Sequence, residues 1–307
     1  MYKVTIIGAG NIAAGFDSPE SEKVLTHAHA VMANPDFELL GFYDKDERKA
    51  MEAAERWGGK VYADMESALK NADVVFCCVP DQLHGQVLKE IARFQPKLVV
   101  AEKPLTVVYE EAEKIQELYQ GKIPLVVNYS RRFLREFHLL KDEINLYGKF
   151  MKGIGYYGKG TIHNGSHMVD LLRFLLGEVT ETQILKSGIF DFTNKDPSKD
   201  MLLKIKDGVF YMTAIDCNAV TIFEMELFFE KARIRIVECG EKIEIYHVIA
   251  SDTYVGEQNY KLVETRYVDY SGAMLGLLDN VKNHLEKCEK IYCTVQDGLE
   301  DLKICMN

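Results

Sequence analysis

Three groups of residues in this chain have the types and spacing to do chemistry. The first is Gly8-x-Gly10-x-x-Ala13, directly after the apolar run Val4-Thr5-Ile6-Ile7. A covered strand running into such a turn grips a dinucleotide: Gly8 makes the tight turn, Gly10 keeps a Cβ away from the pyrophosphate, and Ala13 allows close helix packing. Phosphates are therefore expected along Gly8, Gly10, Asn11 and Ile12. The second is Asp44, at the end of the strand-like run Phe37–Tyr43. A carboxylate there accepts hydrogen bonds from ribose hydroxyls and repels a 2′-phosphate, favouring NAD over NADP; the competing reading is a cap on the next helix. The third is His163, His167 and Asp170, spaced to share one helical face. Imidazole, with an unperturbed pKa of about 6.5, exchanges protons at neutral pH, so His167 reads first as an acid/base. It could instead only bind a substrate hydroxyl, or belong to a packed helix whose histidines merely satisfy hydrogen bonds. A His-x-x-x-His metal site ranks last, because Asn164 stands where zinc peptidases carry a glutamate and Gly165 weakens the helix. No metal is expected.

Elements that position these groups follow from the apolar periodicity. Strand and helix patterns alternate through Phe37–Tyr43, Arg48–Trp57, Val61, Met65–Lys70, Ala72–Val79, Leu83–Phe94, Lys97–Ala101 and Pro124–Asn128. That order predicts a doubly wound parallel sheet, an α/β Rossmann domain over 1–127. Asp44 lies 36 residues after Gly8, against about 20 in the usual fingerprint. The surplus is the segment Phe16–Lys23, where Ser18-Pro19 reads as a helix N-cap and first-turn proline, so the first long helix is expected to start there. From about Gly148 long runs such as Val209–Ile215 and Thr221–Phe229 alternate faces, with hairpin turns at Lys206–Gly208 and Glu238–Glu241. Residues 128–307 are thus expected to form an α+β domain with a large, mainly antiparallel sheet. Bulky apolar groups on both sides of Thr221–Phe229 predict an uncovered face, and hence a homodimer or homotetramer.

At 307 residues, 47% hydrophobic and 27% charged, the chain can bury two cores. A formal net charge of −10 argues against nucleic acid or an anionic membrane as partner. Seven scattered cysteines, an odd number without a C-x-x-C pair, read as reduced thiols. No run of 18 apolar residues occurs, and strand pattern begins at once after Met1, so a cytoplasmic protein is expected.

Taken in order, the glycine turn, Asp44, Val79-Pro80-Asp81-Gln82-Leu83-His84, Ala101-Glu102-Lys103-Pro104-Leu105 and His163-Asn164-Gly165-Ser166-His167-Met168-Val169-Asp170 resemble the Gfo/Idh/MocA oxidoreductases. The resemblance spans essentially the whole chain, and the Glu-Lys-Pro motif is its most specific part. It implies NAD-dependent hydride transfer at a secondary alcohol of a sugar, polyol or nucleotide sugar, with surface-glycan synthesis among the settings it implies. A substrate between Lys103 and His167 is implied, as is a cis Lys103-Pro104 bond. Val79, Pro80, His84 and Glu102 would line the cofactor. Lysine suits this place because a forming carbonyl needs a positive hydrogen-bond donor at its oxygen. Asn128, Arg132, Tyr157, His163 and Asp170 are candidate substrate ligands; Arg132 reads equally as part of a solvated helix. Where the family usually has an aspartate four residues before the histidine, this chain has His163. Two other readings stay open: a non-catalytic NAD-binding regulator of the same fold, and a reductase of a non-sugar substrate.

Overall fold

The computed structural model describes residues 1–306, in two compact units. Met1–Phe133 and Tyr270–Leu302 make the first; Leu134–Asp269 and the residues from Lys303 make the second. In the first unit the elements run β1 (Tyr2–Ile7), α1 (His27–Ala33), β2 (Phe37–Tyr43), α2 (Glu47–Trp57), β3 (Lys60–Val61), α3 (Met65–Leu69), β4 (Val74–Cys77), α4 (His84–Ala92), β5 (Leu98–Ala101), α5 (Tyr109–Tyr119) and β6 (Leu125–Val127). All six strands are parallel, in the order β3-β2-β1-β4-β5-β6. Val4, Ile6, Val74–Cys77 and Leu98, Val99 and Ala101 are fully buried, because a parallel sheet is covered on both faces. The strand order reverses between β1 and β4, and such a switch point opens a crevice at the carboxyl ends of the strands. This is a Rossmann-type unit, as the alternating pattern predicted.

Helix α2 shows how local sequence sets these elements. Asp46 caps it by accepting the Arg48 N–H, Gly58 ends it at φ 79°, and Ala50, Ala53 and Trp57 turn inward. Asp46, and not Asp44, is therefore the cap, which leaves Asp44 for other work.

The second unit contains α6 (Arg135–Glu143), β7 (Phe150–Tyr157), α7 (Ser166–Leu176), β8 (Val179–Thr193), β9 (Asp196–Ile205), β10 (Gly208–Ala214), β11 (Phe223–Phe229), β12 (Ala232–Val237), β13 (Lys242–Ala250) and β14 (Gln258–Tyr267). Its eight strands are ordered β14-β13-β12-β11-β7-β10-β9-β8, antiparallel except for the β7–β10 pair. One face carries Phe210, Met225, Leu227, Ile234 and Ile243, all buried. Helix α7 lies close to β7 because Gly155 has no side chain: a Cβ there would sit 2.5 Å from Met168 Sδ. The other face of β11 corrects one expectation. It presents Glu224, Glu226 and Phe228, not a bulky apolar row. Glu226 pairs with Arg233 and Arg235 of β12, and Arg235 with Glu244 of β13, a charge ladder across three strands.

Candidate active site

At the end of β1 the chain turns at Gly8, which has φ 91°. Gly8 N–H donates to Tyr43 O at 2.7 Å and Cys78 N–H to Ile7 O at 2.7 Å, so the turn is pinned to β2 and β4. Asp44 closes it: Oδ2 accepts the Ala9 N–H at 2.8 Å, and Oδ1 accepts the Asp46 N–H at 2.9 Å. Each carboxylate oxygen keeps a lone pair for a further donor. Gly8, Asp44, Lys45, Val79, Pro80 and Leu83 line one cavity of about 220 Å³. Four of the residues expected at the cofactor are thereby brought together. A Cβ on Gly10 would meet no heavy atom within 4 Å, so that side of the turn is an open cradle. Asn11 is exposed and Ile12 half-exposed beside it. A glycine turn with open space at Gly10 and a strand-end carboxylate with free lone pairs is a donor set that fits a dinucleotide.

The helix expected from Ser18-Pro19 does not form. After Gly10 the chain makes one short π-type turn, Asn11–Gly15, and α1 starts only at His27 with Thr26 as its cap. Asp17 explains the delay. Its carboxylate accepts from Leu25 N–H (2.6 Å), Thr26 N–H (3.3 Å) and Thr26 Oγ1 (2.6 Å), and faces His29 Nδ1 at 2.9 Å. Burial pushes the Asp17 carboxyl up, but the hydrogen bonds from Thr26, Leu25 and His29 outweigh it, so it titrates below its ordinary value. Arg56 and the Trp57 indole of α2 donate to Ala14 O at 3.0 and 2.8 Å, satisfying the end of the short turn. A cap signal at Ser18 had no helix to cap, because the Asp17 ring of bonds holds these residues as a loop.

Lys103 follows the end of β5, half-buried, and the Lys103-Pro104 bond is cis. His84 is fully buried; its Nδ1 lies 2.6 Å from Pro104 O and its Nε2 2.8 Å from Val79 O. It thus ties the loop after β4 to the loop after β5, and, although expected at the cofactor, it does not line the cavity at Gly8 and Asp44. Glu102 is 9% exposed and faces His27 Nε2 at 2.6 Å and Asn128 Nδ2 at 2.7 Å. Arg132 does not form part of a solvated helix: it is buried, with Nη1 donating to Tyr292 O and Asp297 Oδ1. Its guanidinium anchors the helix at Val295–Met306.

In the second unit His163 and His167 are half-exposed, while Tyr157 and Asp170 are buried. The single helical face expected for His163, His167 and Asp170 is interrupted, since Thr161–Gly165 forms a π-type turn and α7 begins at Ser166. The tip of the β8–β9 hairpin holds that turn. Asp196 accepts the N–H groups of Ile162 and His163, each at 2.8 Å. Phe192 stacks on the His163 ring, with centroids 4.4 Å apart. Burial raises the Asp196 carboxyl above its ordinary value, although both backbone donors and the charge of His163 pull it down. The Tyr157 hydroxyl lies 2.9 Å from Thr161 Oγ1, donates to Lys199 O at 2.7 Å, and accepts the Lys199 N–H at 2.9 Å, so Tyr157 braces the turn from inside. Asp17, His27, Phe192 and Asp196 were not singled out as functional from the sequence; only the turn-forming Asp196-Pro197 pair offered a local signal. Among the described residues no group of three or more His, Cys, Asp or Glu is placed to hold a metal ion. Nor is any described helix long and apolar enough to cross a membrane.

Residues 2–129 match an oxidoreductase family with an NAD-binding Rossmann fold, Gfo/Idh/MocA. Glucose-6-phosphate 3-dehydrogenase of Bacillus subtilis is 25% identical over 146 residues, covering 47% of this chain and 38% of that enzyme. The aligned stretch is thus well under half of that relative. UDP-N-acetylglucosamine 3-dehydrogenase of Acidithiobacillus ferrooxidans superposes with TM-score 0.78 over 99% of this chain and 95% of its own, at 16% identity. A myo-inositol dehydrogenase-like structure from Sinorhizobium meliloti gives TM-score 0.75 over 100% and 95%, at 19% identity. At such identities the superpositions show a common fold.

Proposed function

Because residues 2–129 match the Gfo/Idh/MocA oxidoreductases with their NAD-binding Rossmann fold, we propose that the chain transfers hydride between NAD and a secondary alcohol or ketone of a sugar, polyol or nucleotide sugar. One observation carries the reading: Gly8, Asp44, Val79 and Pro80 share a cavity at the strand ends of the first sheet, and β5 of that sheet runs into Lys103. When bound, the nicotinamide supplies the hydride acceptor or donor. Asp44 takes the ribose hydroxyls of NAD and disfavours the 2′-phosphate of NADP. Lys103 donates a charged hydrogen bond to the reacting oxygen, where negative charge grows as the carbinol proton leaves. His167 takes that proton in oxidation and returns it in reduction; His163 stands in place of a carboxylate and binds the substrate beside it. Support for a carbohydrate comes from the sequence relative that acts on glucose 6-phosphate.

The test is nicotinamide absorbance in both directions, with polyols, sugar phosphates and nucleotide sugars offered in turn. At least one should be turned over, and Lys103→Ala should abolish the signal. Tight NAD binding without turnover of any would replace this reading with a non-catalytic NAD-binding regulator.

A further inference from the structure

Glu102 and Lys103 are chain neighbours with opposite surroundings. Lys103 is half-buried, whereas Glu102 turns into the first unit. Its Oε1 receives two side chains at once, His27 Nε2 and Asn128 Nδ2. His27 is 1% exposed, its ring 4.9 Å from that of Phe76 on β4. The far atoms of both partners, His27 Nδ1 and Asn128 Oδ1, are buried without a hydrogen-bond partner. Folding alone does not call for this. Apolar side chains of the same shape would leave no polar atom desolvated, so a half-satisfied network points to a site where geometry matters more than stability.

We propose that His27 and Asn128 are positioning residues for Lys103: they fix the carboxylate of Glu102, its neighbour in the chain, and through it the placement of the Lys103 ammonium. The proposal rests on the functional reading only in giving Lys103 the reacting oxygen. The groups that reach Glu102 are consistent with it. Helix α1 contributes His27, the segment after β6 contributes Asn128, and Cys77 at the end of β4, followed by Cys78, lies alongside, with Cys77 O accepting the Glu102 N–H. Burial pushes both thiols up, Cys77 to about 12, so they bring no charge at neutral pH. Burial also raises the Glu102 carboxyl, but the bonds and charge from His27, the bond from Asn128 and the charge of Lys103 bring it below its ordinary value. The inserted segment gains a purpose as well. Asp17 holds Thr26, Thr26 caps α1, and the first residue of α1 is His27.

Reaction of Lys103 with acetic anhydride, resolved by peptide mass spectrometry across pH on the full chain, reports the lysine's titration without any substrate. Glu102→Gln removes the negative charge and should lower the Lys103 midpoint by about one pH unit or more. His27→Leu should do the same, because an unsupported Glu102 in that pocket takes up a proton. His27→Gln, whose amide can reach the same oxygen, should restore the wild-type midpoint. An unshifted midpoint in Glu102→Gln overturns the proposal. An unshifted midpoint in folded His27→Leu overturns the part given to His27; if that variant fails to fold, Asn128→Leu, which removes the other donor to the same oxygen, takes its place, a lowered Lys103 midpoint supporting the proposal and an unshifted one overturning it. Absence of hydride transfer would overturn the functional reading and leave this result standing.

Discussion

Two glycines in one turn should respond to the same substitution in opposite ways. At Gly8, φ is 91°, and a Cβ would lie 2.6 Å from Cys78 O and 2.8 Å from Val79 N, both backbone atoms that cannot step aside. Positive φ costs a residue with a Cβ about 1–2 kcal/mol, and forcing an atom into a packed site costs about 1–3 kcal/mol more. Gly8→Ala should therefore lose roughly 2–5 kcal/mol, which lowers Tm by roughly 5–20 °C for a unit of this size. Gly10 has φ −78° and ψ −167°, open to any residue, with no atom near its Cβ. Gly10→Ala should leave the melting curve of the ligand-free protein in place, or raise it slightly as the unfolded chain loses freedom. The added methyl enters the open space at Gly10, where the pyrophosphate is proposed to lie, so NADH affinity should fall at least tenfold, about 1.4 kcal/mol. Scanning calorimetry reads the first effect and titration calorimetry with NADH the second. Wild-type affinity in Gly10→Ala would refute the placement of the pyrophosphate; an unchanged Tm in Gly8→Ala would refute the packing argument.

Asp44→Ser should weaken NADH binding and remove the preference over NADPH, as titration with both cofactors will show; an unchanged preference excludes Asp44 from the ribose. His167→Asn should keep substrate affinity but slow hydride transfer on the order of 10²–10⁴-fold, whereas a raised KM with unchanged kcat would make it only a hydroxyl anchor. Chelators should leave wild-type activity intact. Because Asp17 titrates below its ordinary value of 3.8, its stabilisation of the 16–26 loop is complete above that pH and is lost as pH falls through the lower folded-state value. Hydrogen exchange across this range should show the loop opening in acid for wild type, and opening already at neutral pH for Asp17→Asn. The open face of the eight-stranded sheet, with half-exposed Ile154, Tyr156, Tyr211 and Phe228 among its charge ladder, should join copies into a dimer or tetramer. Light scattering at micromolar concentration tests this, and a monomer mass refutes it.

Local rules made β1, the glycine turn and the alternation up to β6 readable, because buried parallel strands leave short, β-branched apolar runs bounded by turn residues, too short for buried helices. The uneven faces of β11 were half readable: Phe223, Met225, Leu227 and Phe229 mark the buried side, but Phe228 beside Glu224 and Glu226 suggested more apolar surface than the ladder leaves. Ser18-Pro19 misled because a cap signal is local, while the start of α1 is set by Asp17 reaching Leu25 and Thr26. The face shared by His163 and His167 was drawn with α-helical spacing, and a π-type turn fixed by Asp196, 33 residues away from His163, does not follow that spacing. Farthest from view was His27 on Glu102, 75 residues apart in sequence. Only the strand order, with β1 beside β4 and β4 beside β5, brings such residues together.

Hydride transfer to nicotinamide, with Lys103 at the reacting oxygen, is the activity proposed for this chain. Its most direct test is incubation with NAD and carbohydrates deuterated at their carbinol carbons, followed by mass spectrometry of the nicotinamide. Deuterium should appear on the reduced nicotinamide with wild type and not with Lys103→Ala, which should still bind NAD. Label retained on every carbohydrate by an NAD-loaded wild-type protein would contradict the proposal.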